Sequence, residues 1–149
     1  IPVSSSREEA VEAALDLIDK NSLAYEAVEV GKKFVNQSAS NLHDHYGDMS
    51  PVHSLNNLAV VIWAFLSFQD SFDEAIGETI CCGWDTDCTG ATVGGLIGLD
   101  KGSIPESWTD PWQGRVNTAI AGVGELKLED LVERTCKLVD QFSSESDMD

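Results

Sequence analysis

Apolar residues recur at helical spacing along most of the chain. Ser6 and Glu9 have the spacing of a capping box, in which two side chains bond free backbone N–H groups of a first helical turn. Four apolar residues follow at the spacing of one helix face: Val11, Ala14, Leu15 and Ile18. This pattern predicts a helix of about four turns. Similar patterns predict a second helix over 23–36 and a last helix from about 128 to 142.

The most apolar stretch of the chain is LNNLAVVIWAFLSF, residues 55–68. It is apolar on all sides but shorter than the roughly 20 residues that a membrane span needs, so it predicts the most buried helix of a globular domain. Ser71 and Glu74 form a second capping box, which predicts a further helix that ends at Gly83.

Residues 37–53 are polar and rich in turn-forming residues, which predicts a loop. His43 and His45 in this loop resemble a metal-binding pair. The loop offers them no third ligand, so both side chains are interpreted as solvated.

The fold class predicted from these elements is all-α. The chain has 149 residues, and its strand-like alternation is too short to be useful, so residues 1–142 are expected to form one compact helical domain. The final stretch SSESDMD, 143–149, is acidic and lacks apolar anchors. It predicts a disordered tail.

The net charge of −17 restricts the partners of the chain. Such a surface repels nucleic acid and anionic lipid, so neither is an expected partner. An anionic substrate would need a local cation, and a metal ion held by acids is the obvious choice. The four cysteines show no disulfide or zinc spacing, which indicates free thiols and a cytoplasmic location.

The stretch GWDTDCTGAT, residues 83–92, carries the most specific chemistry. A simple interpretation is a turn in which Asp87 caps a helix beginning at Cys88. A calcium loop is excluded because its twelfth position is Leu96 rather than glutamate. A DxDxT phosphatase with Asp85 as nucleophile would need a strand leading into that residue, and the preceding sequence has helical spacing.

A divalent-metal site at a helix start remains the interpretation with chemical consequences. Asp85 and Asp87 can aim oxygens at one ion such as Mg²⁺ or Mn²⁺. Without an ion, the two carboxylates repel each other, which should raise the pKa of one of them. The glycines that follow, Gly90, Gly94 and Gly98, predict close packing against Trp63 or Phe65 of the central helix.

These residues resemble the ADP-ribosylglycohydrolase family, in the branch whose loop reads G-x-D-T-D-C-N-G-A-T. The resemblance continues in four further stretches: SFDEAIGETI, IPESW, ALDLIDKNS (14–22) and VHSLNNLAVVIWAFL (52–66). It also includes ERT at 133–135 and covers roughly residues 11–135. It implies an all-α hydrolase that uses two divalent ions, Mg²⁺ or Mn²⁺. The bond cleaved would join C1″ of ADP-ribose to a protein side chain or a related group.

Carried over to this chain, the resemblance makes Asp85 and Asp87 catalytic residues and metal ligands. Cys88 occupies the third ligand position, where a thiol is a poor partner for Mg²⁺. Either Cys88 points away, or the hydroxyl of Thr89 replaces it, or one ion is bound weakly. Trp84 and His53 are candidates for contacting substrate. Each also has a structural interpretation, Trp84 as a core aromatic residue and His53 as a residue hydrogen-bonded to backbone, which is the more usual role of such a histidine. Asn56 and Asn57 are interpreted as hydrogen-bonding residues that fix the loop.

The family's T-D-D-T and G-D-x-x-G segments have no counterpart here. The chain therefore resembles a C-terminal half, whose N-terminal partner would act in cis or in trans. The metal pair is expected to be incomplete and the isolated fragment inactive. Its substrates would be an ADP-ribosylated protein or an ADP-ribose-like small molecule. The alternative hypothesis is a non-catalytic helical binding or structural domain that keeps the fold without activity.

Overall fold

The structure is a computed structural model that describes residues 4–146, with side chains to residue 142. The helices are as follows: α1 Arg7–Leu15, α2 Leu23–Lys33, α3 Ser40–Tyr46, α4 Ser54–Ser67, α5 Phe72–Cys81, α6 Thr86–Lys101, α7 Glu106–Thr109 and α8 Leu128–Ser146. A 3₁₀ turn covers Asp110–Trp112, and two short strands are β1 Arg115–Asn117 and β2 Glu125–Lys127. The predicted all-α class is confirmed.

The chain divides into two compact units, the first ending at Ile104 and the second beginning at Pro105. The second contains α7, the 3₁₀ turn, the hairpin and α8. β1 and β2 pair antiparallel, with Val116 opposite Leu126. These two strands were not predicted, because three-residue strands are too short to show alternation. The prediction of one domain over 1–142 thus stays a prediction.

The last helix begins at Leu128, as predicted. Its backbone continues through Ser146, so residues 143–146 are helical where a disordered tail was expected. The remaining tail residues, 147–149, lie outside the described residues.

Both predicted capping boxes are present in part. Ser6 and Ser71 are N-caps whose hydroxyls accept from the backbone N–H groups of Glu9 and Glu74, respectively. The carboxylate of Glu9 accepts from Ser5, one residue before the cap. Helix α1 ends at Leu15, earlier than the predicted four turns, because the chain turns away at residues 16–18.

Helix α4 is the centre of the first unit and packs against α1, α2, α3, α5 and α6. Eight of its residues are buried: Asn56, Ala59, Val60, Val61, Trp63, Ala64, Phe65 and Leu66. This confirms the predicted buried central helix. Gly31 of α2 lies close against α4, since an added Cβ there would lie 2.6 Å from the backbone oxygen of Ala59.

Gly90 and Gly94 of α6 face α5, and Gly98 faces Ile104, so these glycines do not face Trp63 or Phe65 as predicted. A Cβ on Gly90 would lie 2.8 Å from Cδ1 of Ile80, and one on Gly94 would lie 3.3 Å from Cδ1 of Ile76. Helix α5 follows directly before α6 in the chain, so the two helices form an antiparallel pair, for which small residues permit a short separation. The turn between these two helices carries the candidate site.

The C-terminal end of α4 is held by a buried arginine. Nη1 of Arg7 donates to the backbone oxygens of Phe65 (2.8 Å) and Phe68 (3.3 Å), which α4 leaves without helical partners. Nε of Arg7 bonds Asp100 of α6 at 2.8 Å, and the guanidinium lies over the ring of Phe65. One side chain therefore joins α1, α4 and α6.

Candidate metal centre

The candidate site begins with a sharp turn between α5 and α6. Gly83 has φ 81° and Trp84 has φ 61°, so two successive residues lie in the left-handed region. Glycine takes this conformation without strain, but a bulky side chain such as that of Trp84 does so at a cost. The turn reverses the chain and delivers Asp85 to the first position before α6.

Asp85 is the N-cap of α6, and Asp87 and Cys88 lie in the first turn of the helix. The helix begins at Thr86, two residues before the start at Cys88 that the capping interpretation predicts, so Asp87 lies inside the helix rather than before it. The side chain of Asp85 makes no capping bond. The simple interpretation, in which Asp87 caps the helix, is therefore wrong. A strand leading into Asp85 is also excluded, because residues 72–81 form helix α5.

The structure brings together one ligand atom from each of three side chains, Asp85, Asp87 and Cys88. These three atoms all lie within 4.8 Å of one another. Asp85 is partly buried, whereas Asp87 and Cys88 are exposed. Two carboxylates and a thiol that converge on one solvent-accessible point can act as ligands to a single divalent ion.

Hydrogen bonding around the cluster shifts two pKa values. The pKa of Asp87 lies below its ordinary value, mainly because of a hydrogen bond with the side chain of Asp85 and then because of the backbone N–H groups of Asp87 and Cys88. These bonds favour the charged form of Asp87, and the prediction that repulsion raises the pKa of one of the two acids stays a prediction. The pKa of the Cys88 thiol is raised, chiefly by a hydrogen bond to Asp85.

Asn57 connects the cluster to the central helix. Its Oδ1 accepts the backbone N–H of Asp85 at 3.3 Å, while its Nδ2 donates to the backbone oxygens of Pro51 and His53. Asn56 is fully buried and donates to the backbone oxygen of Ser50. The interpretation that Asn57 fixes the loop is confirmed, and Asn56 orders the segment that precedes α4.

Thr89 lies beneath the cluster. It is buried, and its hydroxyl donates to the backbone oxygen of Asp85 at 2.9 Å. Through this bond Thr89 stabilises the first turn of α6, which carries the carboxylates. A role for Thr89 as a metal ligand stays a prediction.

His53 is an exposed residue at the N-cap of α4. Its Nδ1 accepts the backbone N–H of Leu55 at 3.2 Å, so this nitrogen already has a structural function. Any contact with substrate would have to come from Nε2. The predicted substrate-binding role of His53 stays a prediction.

Trp84 belongs to an aromatic cluster that also contains His43 and Tyr46. Its ring centroid lies 4.2 Å from that of His43 and 6.1 Å from that of Tyr46. The ring is partly buried, and these contacts leave less of it for a ligand. Burial, followed by the charge of Glu26, raises the pKa of Tyr46 to about 12.

Helix α3 lies within residues 37–53, where a loop was predicted. It has seven residues and no side-chain cap, so its local signal is weak. His43 is not simply solvated, because its Nε2 lies 2.6 Å from the backbone oxygen of Cys82. His45 has ring contacts with Phe34 and Tyr46. The i, i+3 spacing of His43 and Tyr46 was the one signal that both face the same side.

Cys82 and His43 do not form a nucleophilic pair. Their Sγ and Nε2 atoms are 3.9 Å apart, but a backbone oxygen only accepts, so Nε2 donates its proton to the oxygen of Cys82. Burial also raises the pKa of the Cys82 thiol to about 11, which keeps it protonated near neutral pH. All four cysteines, which lie within the described range, are free.

The fold and the cluster define an all-α protein with a candidate cation centre at a helix start. The sequence matches the family model for ADP-ribosylglycohydrolase over residues 3–146, and the chain belongs to that family. The family acts on ADP-ribosylated substrates and is usually metal-dependent, and membership indicates a function of the glycosyl hydrolase type. Comparisons with curated proteins and with solved structures gave no match.

The helices that the structure describes include none with both the length and the apolar character that crossing a membrane requires.

Proposed function

We propose that the chain carries part of the active site of a metal-dependent ADP-ribosylglycohydrolase. The reaction would cleave the glycosidic bond at C1″ of ADP-ribose attached to protein, or a related N- or O-glycosidic bond. The observation that supports this most directly is the convergence of Asp85, Asp87 and Cys88 within 4.8 Å, in a chain that belongs to this family.

The donor set fits one divalent ion better than two. Carboxylate oxygens suit Mg²⁺ or Mn²⁺, whereas the thiol of Cys88 suits a softer ion. Three protein donors leave an ion that prefers six ligands dependent on water or on further residues. We infer that the remaining ligands, and those of a second ion, come from residues outside 1–149. These residues would belong either to the same polypeptide or to a second one.

In this proposal Asp85 and Asp87 hold the metal, and Cys88 is the third donor. Thr89 supports them from below, because its hydroxyl bonds the backbone of Asp85. A bound divalent ion would supply Lewis-acid polarisation, an activated water and positive charge next to a pyrophosphate. That charge matters here, since the net charge of −17 otherwise repels an anionic substrate.

Trp84 and His53 are proposed to contact the substrate around this centre. Trp84 precedes the first metal ligand directly, and the part of its ring not covered by His43 could stack on adenine or ribose. His53 is linked to Asp85 through Asn57, which bonds the backbone of both. Its Nε2 could donate a hydrogen bond to a ribose or phosphate oxygen.

The first test is calorimetric titration of the 149-residue chain with Mn²⁺. We expect weak binding that Asp85→Asn abolishes, while Asp73→Asn, an exposed acid on α5, leaves it unchanged. The absence of Mn²⁺ binding at millimolar concentration, or binding unaffected by Asp85→Asn, would refute the proposed centre.

The second test is release of ADP-ribose from a modified protein. The isolated chain is expected to show little or no turnover because its donor set is incomplete. Activity should appear together with tighter Mn²⁺ binding when the complementary half is supplied. If metal binding appears without turnover even then, the alternative of a non-catalytic binding domain is favoured. Robust turnover by the chain alone, undiminished in Asp85→Asn, would mean that the active site lies elsewhere.

A further inference from the structure

His43 makes two contacts with the turn that precedes the candidate metal centre. Its Nε2 donates to the backbone oxygen of Cys82 at 2.6 Å, and its ring lies against Trp84 with centroids 4.2 Å apart and a tilt of 37°. The two contacted residues flank Gly83. One side chain on α3 therefore holds both sides of the first left-handed residue in the turn.

The turn needs such support because Trp84 has a left-handed backbone. A bulky residue at φ 61° is strained, and it keeps that conformation only where surrounding contacts impose it. His43 supplies a hydrogen bond on one side and a ring contact on the other. Tyr46, one turn further along α3, meets the Trp84 ring edge-on at 80°. The side chains of His43 and Tyr46 on α3 therefore pack against the strained residue Trp84.

The other end of the turn is held from α4. Asn57 accepts the backbone N–H of Asp85, the residue directly after Trp84. Residues 82–85 are thus fixed at the start by His43 and at the end by Asn57. The carboxylate of Asp85 takes its position from this segment, and small displacements of a ligand weaken metal binding.

The geometry points to His43 as a positioning residue for the metal centre: it holds the Gly83–Trp84 turn so that the donor groups of Asp85, Asp87 and Cys88 converge. This inference rests on the proposed function, because the convergence matters only if the three groups bind a metal. His43 acts through its neighbours, since its Nε2 proton is committed to the oxygen of Cys82.

The test compares variants that remove one contact at a time. His43→Ala removes both contacts, His43→Gln keeps an N–H donor without the ring, and His43→Phe keeps the ring without the donor. His45→Ala, two residues away on α3, is the matched control because its ring contacts reach Phe34 and Tyr46 rather than the turn. The helical signal in far-ultraviolet circular dichroism establishes that each variant is folded.

Titration with Mn²⁺, followed by electron paramagnetic resonance, measures the effect on the centre. We expect His43→Ala to weaken Mn²⁺ binding about tenfold or more, as is usual for residues that orient metal ligands. His43→Gln and His43→Phe should each lose less, and His45→Ala should match the wild type. A folded His43→Ala that binds Mn²⁺ with wild-type affinity overturns the inference. If His43→Ala does not fold, wild-type affinity in both His43→Gln and His43→Phe overturns it equally.

A second readout does not require a metal. Release of the Trp84 ring should alter the near-ultraviolet circular dichroism of His43→Ala, and the change should be absent in a Trp84→Phe background. If the wild type binds no Mn²⁺, the proposed function fails, and this signal alone then decides whether His43 holds the turn. An unchanged near-ultraviolet spectrum in folded His43→Ala would show that it does not.

Discussion

The two ends of α4 are held by different chemistry. At the C-terminal end, the buried charge of Arg7 bonds the last backbone oxygens and Asp100. At the N-terminal end, the neutral amides of Asn56 and Asn57 bond backbone groups in the segments around them. The C-terminal end joins helices together, whereas the N-terminal end orders the turn that carries the candidate metal centre. Substitutions at the two ends should therefore separate stability from metal binding.

The largest loss of stability is expected at the C-terminal end. Arg7→Met should lower the free energy of unfolding by about 3 kcal/mol, because it leaves Asp100 and two backbone oxygens without their partner. The Nη2 atom of Arg7 has no hydrogen-bond partner among the described residues, so part of the guanidinium is already buried at a cost. Urea unfolding measures the change, with Lys20→Met as an exposed control.

If Arg7→Met also weakened Mn²⁺ binding in folded protein, the two ends of α4 would not be independent. We expect the affinity to stay within twofold of wild type, because Arg7 contacts neither the turn nor the cluster.

A smaller loss is expected between the two ends, where α2 crosses α4. Gly31→Ala should cost about 2 kcal/mol, because its Cβ would meet the backbone oxygen of Ala59 at 2.6 Å and backbone cannot rotate away. Gly95→Ala is the control, since a Cβ there meets nothing within 4 Å. That control should be neutral or slightly stabilising, as alanine is the better helix former. Equal melting temperatures for Gly31→Ala and Gly95→Ala would contradict the close approach.

At the N-terminal end, Asn57→Ala should weaken metal binding as well as stability. It leaves the N–H of Asp85 and the oxygens of Pro51 and His53 without this partner, at a cost of about 1–2 kcal/mol. It should also weaken Mn²⁺ binding by about tenfold, because the turn loses one of its two supports. His53→Ala, which removes a helix cap but no hydrogen bond to Asp85, serves as comparison. Loss of stability without any change in Mn²⁺ affinity would show that the turn does not depend on α4.

Alkaline pH should lower the stability of the first unit, because the buried Cys82 thiol resists ionisation in the folded chain. Burial raises the pKa of its thiol from 9.0 to about 11, so the unfolded chain releases this proton first as pH rises. The contribution of the neutral Cys82 thiol to the free energy of unfolding is therefore complete below pH 9. It is lost between about pH 9 and pH 11, and the loss is on the order of 1–2 kcal/mol. Cys82→Ala should flatten the fall in urea midpoint over this interval. Cys81→Ala, at an exposed neighbour, should leave the slope as it is.

Local signals in the sequence determined much of the first unit. The caps at Ser6 and Ser71 and the buried helix over 55–68 were predicted, because capping and helical periodicity act between residues three or four apart. The two acids of the candidate centre could be found for the same reason. They lie two positions apart in the chain, so a single turn is enough to bring them together.

Contacts between distant residues were decided only by the tertiary structure. Arg7 and Asp100 are 93 positions apart, and His43 and Cys82 are 39 apart, so no periodic pattern connects them. Helix α3 is short and has no side-chain cap, so its own sequence gives little indication of a helix. Its packing against α4 was visible only in the structure. The neighbours of the α6 glycines, Ile76, Ile80 and Ile104, likewise followed from packing. Burial and long-range hydrogen bonds depend on which helix faces pack together. A local sequence pattern does not determine that pairing.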